Sequence, residues 1–195
     1  MGKQSGSGRI NRVVSGAALQ NRAAAGSNWN AVTPATILVG EASIRSNSFE
    51  TAIVYGANGN LISSTKGQAH SVSVGYIPKD SIVTHNHPSG ASFSKNDLIT
   101  ASNVNLTEIR AVGKKYTYSV KRNGADWGER GKFIRAYSNA EIRTRYKLED
   151  YIRRGAMISD AERQKRIRDA NMLHSHLIMK SVAGEMGWEY RKASV

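Results

Sequence analysis

The chain has 195 residues, enough for one globular domain with an appended helical segment. It has no cysteine, which excludes a disulfide framework and any thiolate metal site, so a metal could be held only by histidine and carboxylate side chains. Twenty-eight Lys and Arg against 15 Asp and Glu give a net charge of +13, which favours association with polyanions such as nucleic acid or acidic protein surfaces.

The predicted elements begin after a polar arm, residues 1–34, that is rich in Gly, Ser, Ala and Asn. Residues 35–40, ATILVG, are predicted to form a short apolar strand. Residues 50–65, ETAIVYGANGNLISST, predict two strands joined at Asn58 and Gly59, because Asn-Gly between β-rich runs is a strong hairpin signal. Residues 71–77, SVSVGYI, are predicted as a further strand.

The next segments alternate between strand and helix signals. SIVTH, residues 81–85, is predicted as a compact buried strand, and Ser94 with Asp97 three residues later predicts a capped helix start. TEIRAVG and KYTYSVKR, residues 107–113 and 115–122, are strand-like. The order β-β-β-α-β-β predicts an α+β domain over residues 35–124.

Residues 125–195 are predicted to be a helical C-terminal extension, with helices over about 138–154 and 159–182. Apolar residues near helical spacing in the first helix are Ile142, Tyr146, Leu148, Tyr151 and Ile152. The aromatic residues Trp127, Trp188 and Tyr190 are expected to pack this extension rather than stack on bases.

The second predicted helix carries a basic stretch and a His-x-His pair. The basic residues, Arg163, Lys165, Arg166 and Arg168, are interpreted as a solvated helix face, with phosphate contact as the alternative. His174 and His176 are two positions apart on a helix and therefore face in different directions, which excludes a shared metal. His70 has no obvious partner nearby in sequence. Like His174 and His176, it is interpreted as an ordinary residue and not as a metal ligand.

The stretch THNHPSGASFSKNDL, residues 84–98, has the composition of a metal site. In an extended segment alternate side chains point the same way, so His85 and His87 can present two imidazoles to one point. Asp97, on the first turn of the following helix, can bring a carboxylate back to that point. Three protein ligands leave a fourth tetrahedral position open, as in catalytic zinc sites.

These residues resemble the signature of the JAB/MPN (JAMM) metallopeptidases, His-x-His-Pro followed by Ser-x-x-Asp, over about residues 40–122. The flanking segments are similar to the RadC-like branch and to versions in phage head-morphogenesis proteins and polymorphic toxins. The resemblance implies a JAB/MPN-like, cytidine-deaminase-like mixed sheet flanked by helices. It also implies Zn²⁺ bound by His85, His87 and Asp97, although the loop before Asp97 is one residue shorter than usual.

The family also places a glutamate on an upstream strand, where it accepts a proton from water activated by the metal. Glu50 is favoured because it stands at the head of a predicted strand, and Glu41 is the alternative. Alignment to the RadC-like branch would put this position at Lys66, which favours Glu50 further. Ser94 is expected to hydrogen-bond the developing oxyanion, in addition to capping the helix.

The resemblance implies a metal-dependent peptidase or isopeptidase, encoded by a phage or mobile element, that acts on a protein or peptide substrate. One alternative is a non-catalytic virion or assembly protein whose basic segments bind nucleic acid or other subunits. A nuclease is disfavoured because HNH nucleases draw these residues from separate parts of their module. No apolar run approaches the roughly 18 residues of a membrane span, and we expect a cytoplasmic or virion location.

Overall fold

The computed structural model describes residues 33–153 and 159–195, so almost all of the predicted arm, residues 1–34, lies outside the described residues. In chain order the elements are α1 (Ala35–Ile44), β1 (Thr51–Tyr55), β2 (Leu61–Lys66), β3 (Ile82–Asn86), α2 (Lys95–Asn103), β4 (Glu108–Val112), β5 (Tyr116–Lys121), α3 (Arg130–Arg153), α4 (Asp160–Met186) and β6 (Glu189–Ser194).

The strands form one six-stranded mixed sheet in the order β2-β1-β3-β4-β5-β6. β3 and β4 are parallel, and α2 makes the crossover between them. All other neighbouring strands are antiparallel. The predicted class, an α+β fold with a mixed sheet flanked by helices, is therefore confirmed in its general form.

The strand predictions over residues 50–65 and 81–122 are confirmed. β1 and β2 form the predicted antiparallel hairpin, and Gly59 in its turn has φ of 81°, a conformation that favours glycine. β2 is one of the two edge strands and is largely exposed, whereas β1 and β3 are buried along their whole length.

Two strand predictions are wrong. Residues 35–40 form the start of helix α1, whose buried positions Ile37, Glu41 and Ile44 follow helical spacing. Residues 71–77 belong to no strand. Their alternation of Val and Ser reflects burial on one side, which produces the strand pattern without a hydrogen-bonded partner.

The sheet buries both of its faces, and the period of two along each strand assigns side chains to one face or the other. Helix α1 covers the face of Ile53, Tyr55 and Ile82. The opposite face carries the main core, in which Val54 and Val83 pack with residues of α2, α3 and α4. His85 has the same parity as Val83 and therefore lies on the main-core face.

The segment predicted as a helical extension shares this main core. Helices α3 and α4 correspond to the two predicted helices, but the segment also adds strand β6, which the sequence analysis did not predict. Trp127 and Trp188 are buried and pack edge to face with ring centroids 4.9 Å apart, as expected.

The buried face of α3 differs from the predicted one. Phe133, Tyr137 and Ala140 are buried, whereas Ile142 and Tyr146 are 59% and 71% exposed. Leu148 is half-buried, and the side chains of Tyr151 and Ile152 lie outside those described. Across residues 33–153 and 159–195, no helix combines the length and the apolar character that a bilayer crossing requires.

Candidate metal centre

Three side chains predicted as ligands come together where β3 ends and α2 begins. The Nε2 atoms of His85 and His87 are 2.8 Å apart. Asp97 places Oδ1 3.5 Å from His85 Nε2 and Oδ2 3.7 Å from His87 Nε2. One ligand atom from each residue lies within 4.8 Å of the others, a spacing that can hold a single ion.

Backbone contacts orient both imidazoles. The Nδ1 atom of His87 lies 3.0 Å from the carbonyl oxygen of Ala91, which can only accept, so Nδ1 carries a proton. The backbone of Arg110 hydrogen-bonds the ring of His85, whose Nε2 already faces His87. Burial lowers the pKa of His85 to about 4, so its ring is neutral at neutral pH. Each ring thus directs its Nε2 toward the other.

Asp97 is fixed by the predicted helix cap. The Ser94 hydroxyl accepts from the backbone N–H of Asp97, and the backbone N–H of Ser94 donates to Asp97 Oδ2 at 2.7 Å, which completes a capping box. Ser94 Oγ also donates to Oδ2 at 2.8 Å. Burial acts to raise the pKa of Asp97, but His85, His87 and the Ser94 hydrogen bonds together lower it, so the side chain is a carboxylate.

Strand register brings Glu50 to the same place. β1 and β3 are antiparallel with Ala52 opposite His85, so continuing the register by two residues puts Glu50 opposite His87. Glu50, Ala52 and His85 all line one cavity. Burial raises the pKa of Glu50, an effect that His87 opposes and the charge of Asp97 increases. A carboxyl group with a raised pKa is suited to accept and return a proton.

Asn86, between the two histidines, holds the backbone that carries Glu50. It is fully buried, and by alternation its side chain leaves the opposite face of β3. Its Oδ1 accepts from the N–H of Thr51 at 2.7 Å, and its Nδ2 donates to the carbonyls of Asn47 and Phe49 at 3.2 and 3.0 Å. The sequence analysis did not assign Asn86 a role.

Glu41, the alternative base, lies on the other side of the sheet. It is 1% exposed and forms a bidentate ion pair with Arg110, at 2.6 Å from Nε to Oε1 and 3.3 Å from Nη2 to Oε2. Thr84 donates to the same carboxylate at 3.2 Å. Glu41 therefore belongs to a buried polar cluster under α1 and does not line the cavity of Glu50.

The ligands open into a cavity of about 520 Å³. One side carries Glu50, His85, His87 and Asp97, and the remainder is mainly aliphatic and hydroxyl-bearing, with the buried residues Val83, Leu106 and Ile109 in its wall. His70, which the sequence analysis set aside, also lines this cavity, and its charge acts to lower the pKa of Glu50. Ser175 of α4 also lines this cavity, and no local sequence motif predicts that contribution.

The donor set fits a small cation such as Zn²⁺. A tetrahedral zinc with bonds of about 2.0–2.1 Å requires ligand atoms roughly 3.3 Å apart. The two Nε2 atoms are 2.8 Å apart, Asp97 Oδ1 lies 3.5 Å from that of His85, and Asp97 Oδ2 lies 3.7 Å from that of His87, so the separations are close to this value. Two imidazole nitrogens and a carboxylate oxygen lie close enough here to share one cation. Nitrogen and oxygen ligands in this number are those of zinc sites that keep a position open.

The other predicted features of α4 lie away from these ligands. His174 and His176 are on α4, as predicted, and His176 hydrogen-bonds the hydroxyl of Tyr190 through Nδ1 at 2.9 Å. The basic stretch lies near the start of the same helix, where Arg163, Lys165 and Arg168 are exposed.

Lys66, the position that alignment to the RadC-like branch would give the glutamate, lies at the end of β2. Its Nζ stacks over the Phe49 ring, 4.0 Å from the centroid.

Comparison with protein-family models, curated proteins and solved structures found no significant match to this chain. Inferences about its function therefore depend on the geometry of the cavity and on the motif that His85, Ser94 and Asp97 belong to.

Proposed function

We propose that the chain is a zinc-dependent hydrolase of the JAB/MPN type that cleaves a peptide or isopeptide bond. The observation that carries this proposal is the position of Glu50. A carboxyl group whose pKa is raised lies in the same cavity as three converging ligands, opposite His87 in the strand register. A structural metal site would need no such group at its open side.

When bound, zinc lowers the pKa of water and polarises a carbonyl group. In the proposed reaction Glu50 takes a proton from the attacking water, whose oxygen adds to the carbonyl carbon of the scissile amide. As the C–N bond breaks, Glu50 returns that proton to the leaving nitrogen. Water and amide are thereby converted to a carboxylic acid and an amine, and the carboxylate form of Glu50 is restored.

Ser94 serves this site by orienting Asp97. Its hydroxyl has one proton, which it donates to Asp97 Oδ2 at 2.8 Å. A hydrogen bond from Ser94 to a developing oxyanion, the predicted role, would require the hydroxyl to turn away from Asp97. We infer that the loss of Ser94 acts first on metal affinity.

The nuclease hypothesis loses support from the orientation of Asn86. In the letters His-Asn-His the central side chain is directed away from the histidines and holds backbone at residues 47, 49 and 51. It is therefore a structural residue of the hairpin, and the three letters do not form one catalytic group.

The first test is the zinc content of the purified full chain, measured by elemental analysis after zinc reconstitution and desalting. We expect about one zinc per chain in the wild type and in Glu50→Gln, and none in the double variant His85→Ala/His87→Ala. His174→Ala removes one imidazole elsewhere and serves as the matched control that keeps its zinc. A wild-type chain without zinc would refute the proposal.

The second test separates an enzyme from a scaffold that binds metal. Zinc-loaded protein is incubated with a peptide library and with ubiquitin-like isopeptide conjugates, and new amino termini or released amines are measured. Cleavage that is lost in Glu50→Gln with zinc retained supports hydrolysis. Cleavage that persists in Glu50→Gln would exclude Glu50 as the base. Absence of cleavage across both substrate classes would favour the assembly hypothesis.

A further inference from the structure

The loop between the second and third ligands, residues 88–93, is held by side chains distant in sequence. Tyr118 of β5 donates from its hydroxyl to the carbonyl of Gly90 at 3.4 Å, and Tyr137 of α3 donates to the carbonyl of Phe93 at 3.2 Å. Ser175 of α4 and Tyr190 of β6 both hydrogen-bond Ser92. Four elements therefore converge on a loop of six residues.

Ser92 is the centre of these contacts and is 2% exposed. Its backbone N–H donates to Ser175 Oγ at 2.9 Å, and its hydroxyl lies 3.1 Å from that of Tyr190. Ser175 in turn donates to the carbonyl of Met172, and the Tyr190 hydroxyl lies 2.9 Å from His176 Nδ1. Both partners of Ser92 are thus fixed by α4, and the hydrogen bonds form a continuous chain.

Strand register explains why Tyr190 can reach the loop. Val83, Ile109, Val120 and Tyr190 are paired in succession from β3 to β6, so Tyr190 lies on the main-core face that also carries His85. The loop also approaches the sheet and α4 closely at Gly90. A Cβ at Gly90, whose φ is 75°, would lie 2.9 Å from Met172 Sδ.

The chain of contacts leads directly to a metal ligand. Ser92 follows Ala91, whose carbonyl oxygen receives the Nδ1 proton of His87 and so sets the direction of its Nε2. A partner that fixes the unliganded nitrogen of a metal-binding histidine commonly changes metal affinity 10- to 100-fold when it is removed. Here that partner is a backbone carbonyl, and its position depends on Ser92.

We propose that Tyr190 and Ser175 are positioning residues for the metal centre, because they hold Ser92 and through it the Ala91 carbonyl that orients His87. The inference rests on the proposed zinc site. Neither residue contacts the ion or the substrate carbonyl in this role. The C-terminal segment thereby determines the geometry of a site whose ligands all lie within residues 85–97.

The test measures zinc affinity by chelator competition in the full chain, with Tyr190→Phe and Ser175→Ala as the variants. Each removes one hydroxyl and little volume, and alanine is well tolerated in a helix. Tyr116→Phe, on the neighbouring strand β5, is the matched control. We expect zinc to dissociate about tenfold more readily in each variant, by analogy with other partners of ligating histidines, and to be unchanged in the control.

A double-mutant cycle separates positioning from general packing. Tyr190→Phe and Ser92→Ala remove opposite ends of one hydrogen bond, so their effects on zinc affinity should not add when combined. Urea unfolding of the metal-free variants measures stability independently. If Tyr190→Phe and Ser175→Ala lose stability while zinc affinity stays at the wild-type value, the positioning role is refuted.

The outcomes also distinguish this inference from the proposed function. Wild-type protein that binds no zinc refutes both. Wild-type protein whose zinc depends on His85 and His87, with unchanged affinity in Tyr190→Phe and Ser175→Ala, refutes the positioning role alone. Weaker binding in both variants, with non-additive effects at Ser92, supports it.

Discussion

The buried ion pair of Glu41 and Arg110 beneath α1 allows a quantitative test of the conclusion that Glu41 is a structural residue, whereas Glu50 belongs to the cavity. Arg110 and Glu41 are each 1% exposed and are joined by two hydrogen bonds, and Arg110 also contacts Glu108 at 2.6 Å. Burial acts to lower the pKa of Arg110, but the hydrogen bonds and charges of Glu41 and Glu108 raise it overall. Arg110 is therefore charged in the folded protein.

We predict that Arg110→Met destabilises the chain by about 3–5 kcal/mol, the usual cost of leaving one member of a buried pair without its partner. Thr84 would remain as a donor to Glu41, but one neutral hydrogen bond cannot replace a bidentate guanidinium. For a unit of this size the loss corresponds to a fall in Tm of roughly 6–20 °C.

The assay is urea unfolding of the metal-free protein, followed by circular dichroism. The double variant Glu41→Leu/Arg110→Met should recover most of the stability, since a buried pair can often be replaced by apolar residues at little cost. Glu108→Gln, at the more exposed end of the cluster, should cost less than about 1 kcal/mol. Stability of Arg110→Met within about 1 kcal/mol of wild type, or a double variant as unstable as the single one, would refute this reasoning.

Three further predictions concern the site and its supports. Burial, together with the charges of Lys192 and Lys180, lowers the pKa of His176 to about 4. Between about pH 6.5 and 4 the unfolded chain therefore binds more protons than the folded chain, so the free energy of unfolding decreases as the pH falls through this window. His176→Gln should reduce this pH dependence when unfolding is measured over an acid titration. Ser94→Ala should cost about 1 kcal/mol in urea unfolding and weaken zinc binding in chelator competition, whereas Ser94→Thr should retain both. Asn86→Ala removes three hydrogen bonds from a buried side chain and should cost about 2–3 kcal/mol in urea unfolding, and Asn86→Asp, which keeps only the acceptor, should not restore it.

The ligand cluster was predictable because its determinants are local. His85 and His87 obey the alternation of a strand, and the cap formed by Ser94 and Asp97 depends on four consecutive residues. Glu50 was a choice between two acidic residues. Its placement follows from the pairing of β1 with β3, which a single sequence does not reveal.

Helix α1 was missed because its buried face includes an acidic residue, Glu41. Short apolar runs fit a strand as well as a helix, and the helical spacing of Ile37 and Ile44 becomes visible only when Glu41 is counted as buried. That burial depends on Arg110, 69 positions later in the chain. Strand β6 was missed because EYRKAS has no apolar alternation, and its pairing with β5 alone defines it as a strand.

The roles of His70 and Ser175 could not be read from the sequence for a related reason. His70 reaches the cavity from a segment that belongs to no strand, and Ser175 reaches it from a helix, 83 positions beyond Ser92 in the chain. Neither belongs to a motif with fixed spacing. Cavity walls of this kind depend on tertiary packing and are largely invisible to local patterns.

The three ligands lie close together in the sequence, whereas the residues that hold their loop lie far away in the sequence. This arrangement indicates how the fold would contribute to metal affinity. A short peptide carrying His85, His87 and Asp97 has all three ligands, but ordering their side chains and the intervening loop costs conformational entropy at the moment of binding. In the folded chain that cost is met in advance by contacts from α3, α4 and β6 to residues 88–93. The C-terminal segment also supplies Phe133, Met179 and Trp188 to the main core, so the order of the loop is tied to the stability of the whole unit. Metal affinity should therefore depend on residues far from the motif, and the motif alone should bind zinc weakly.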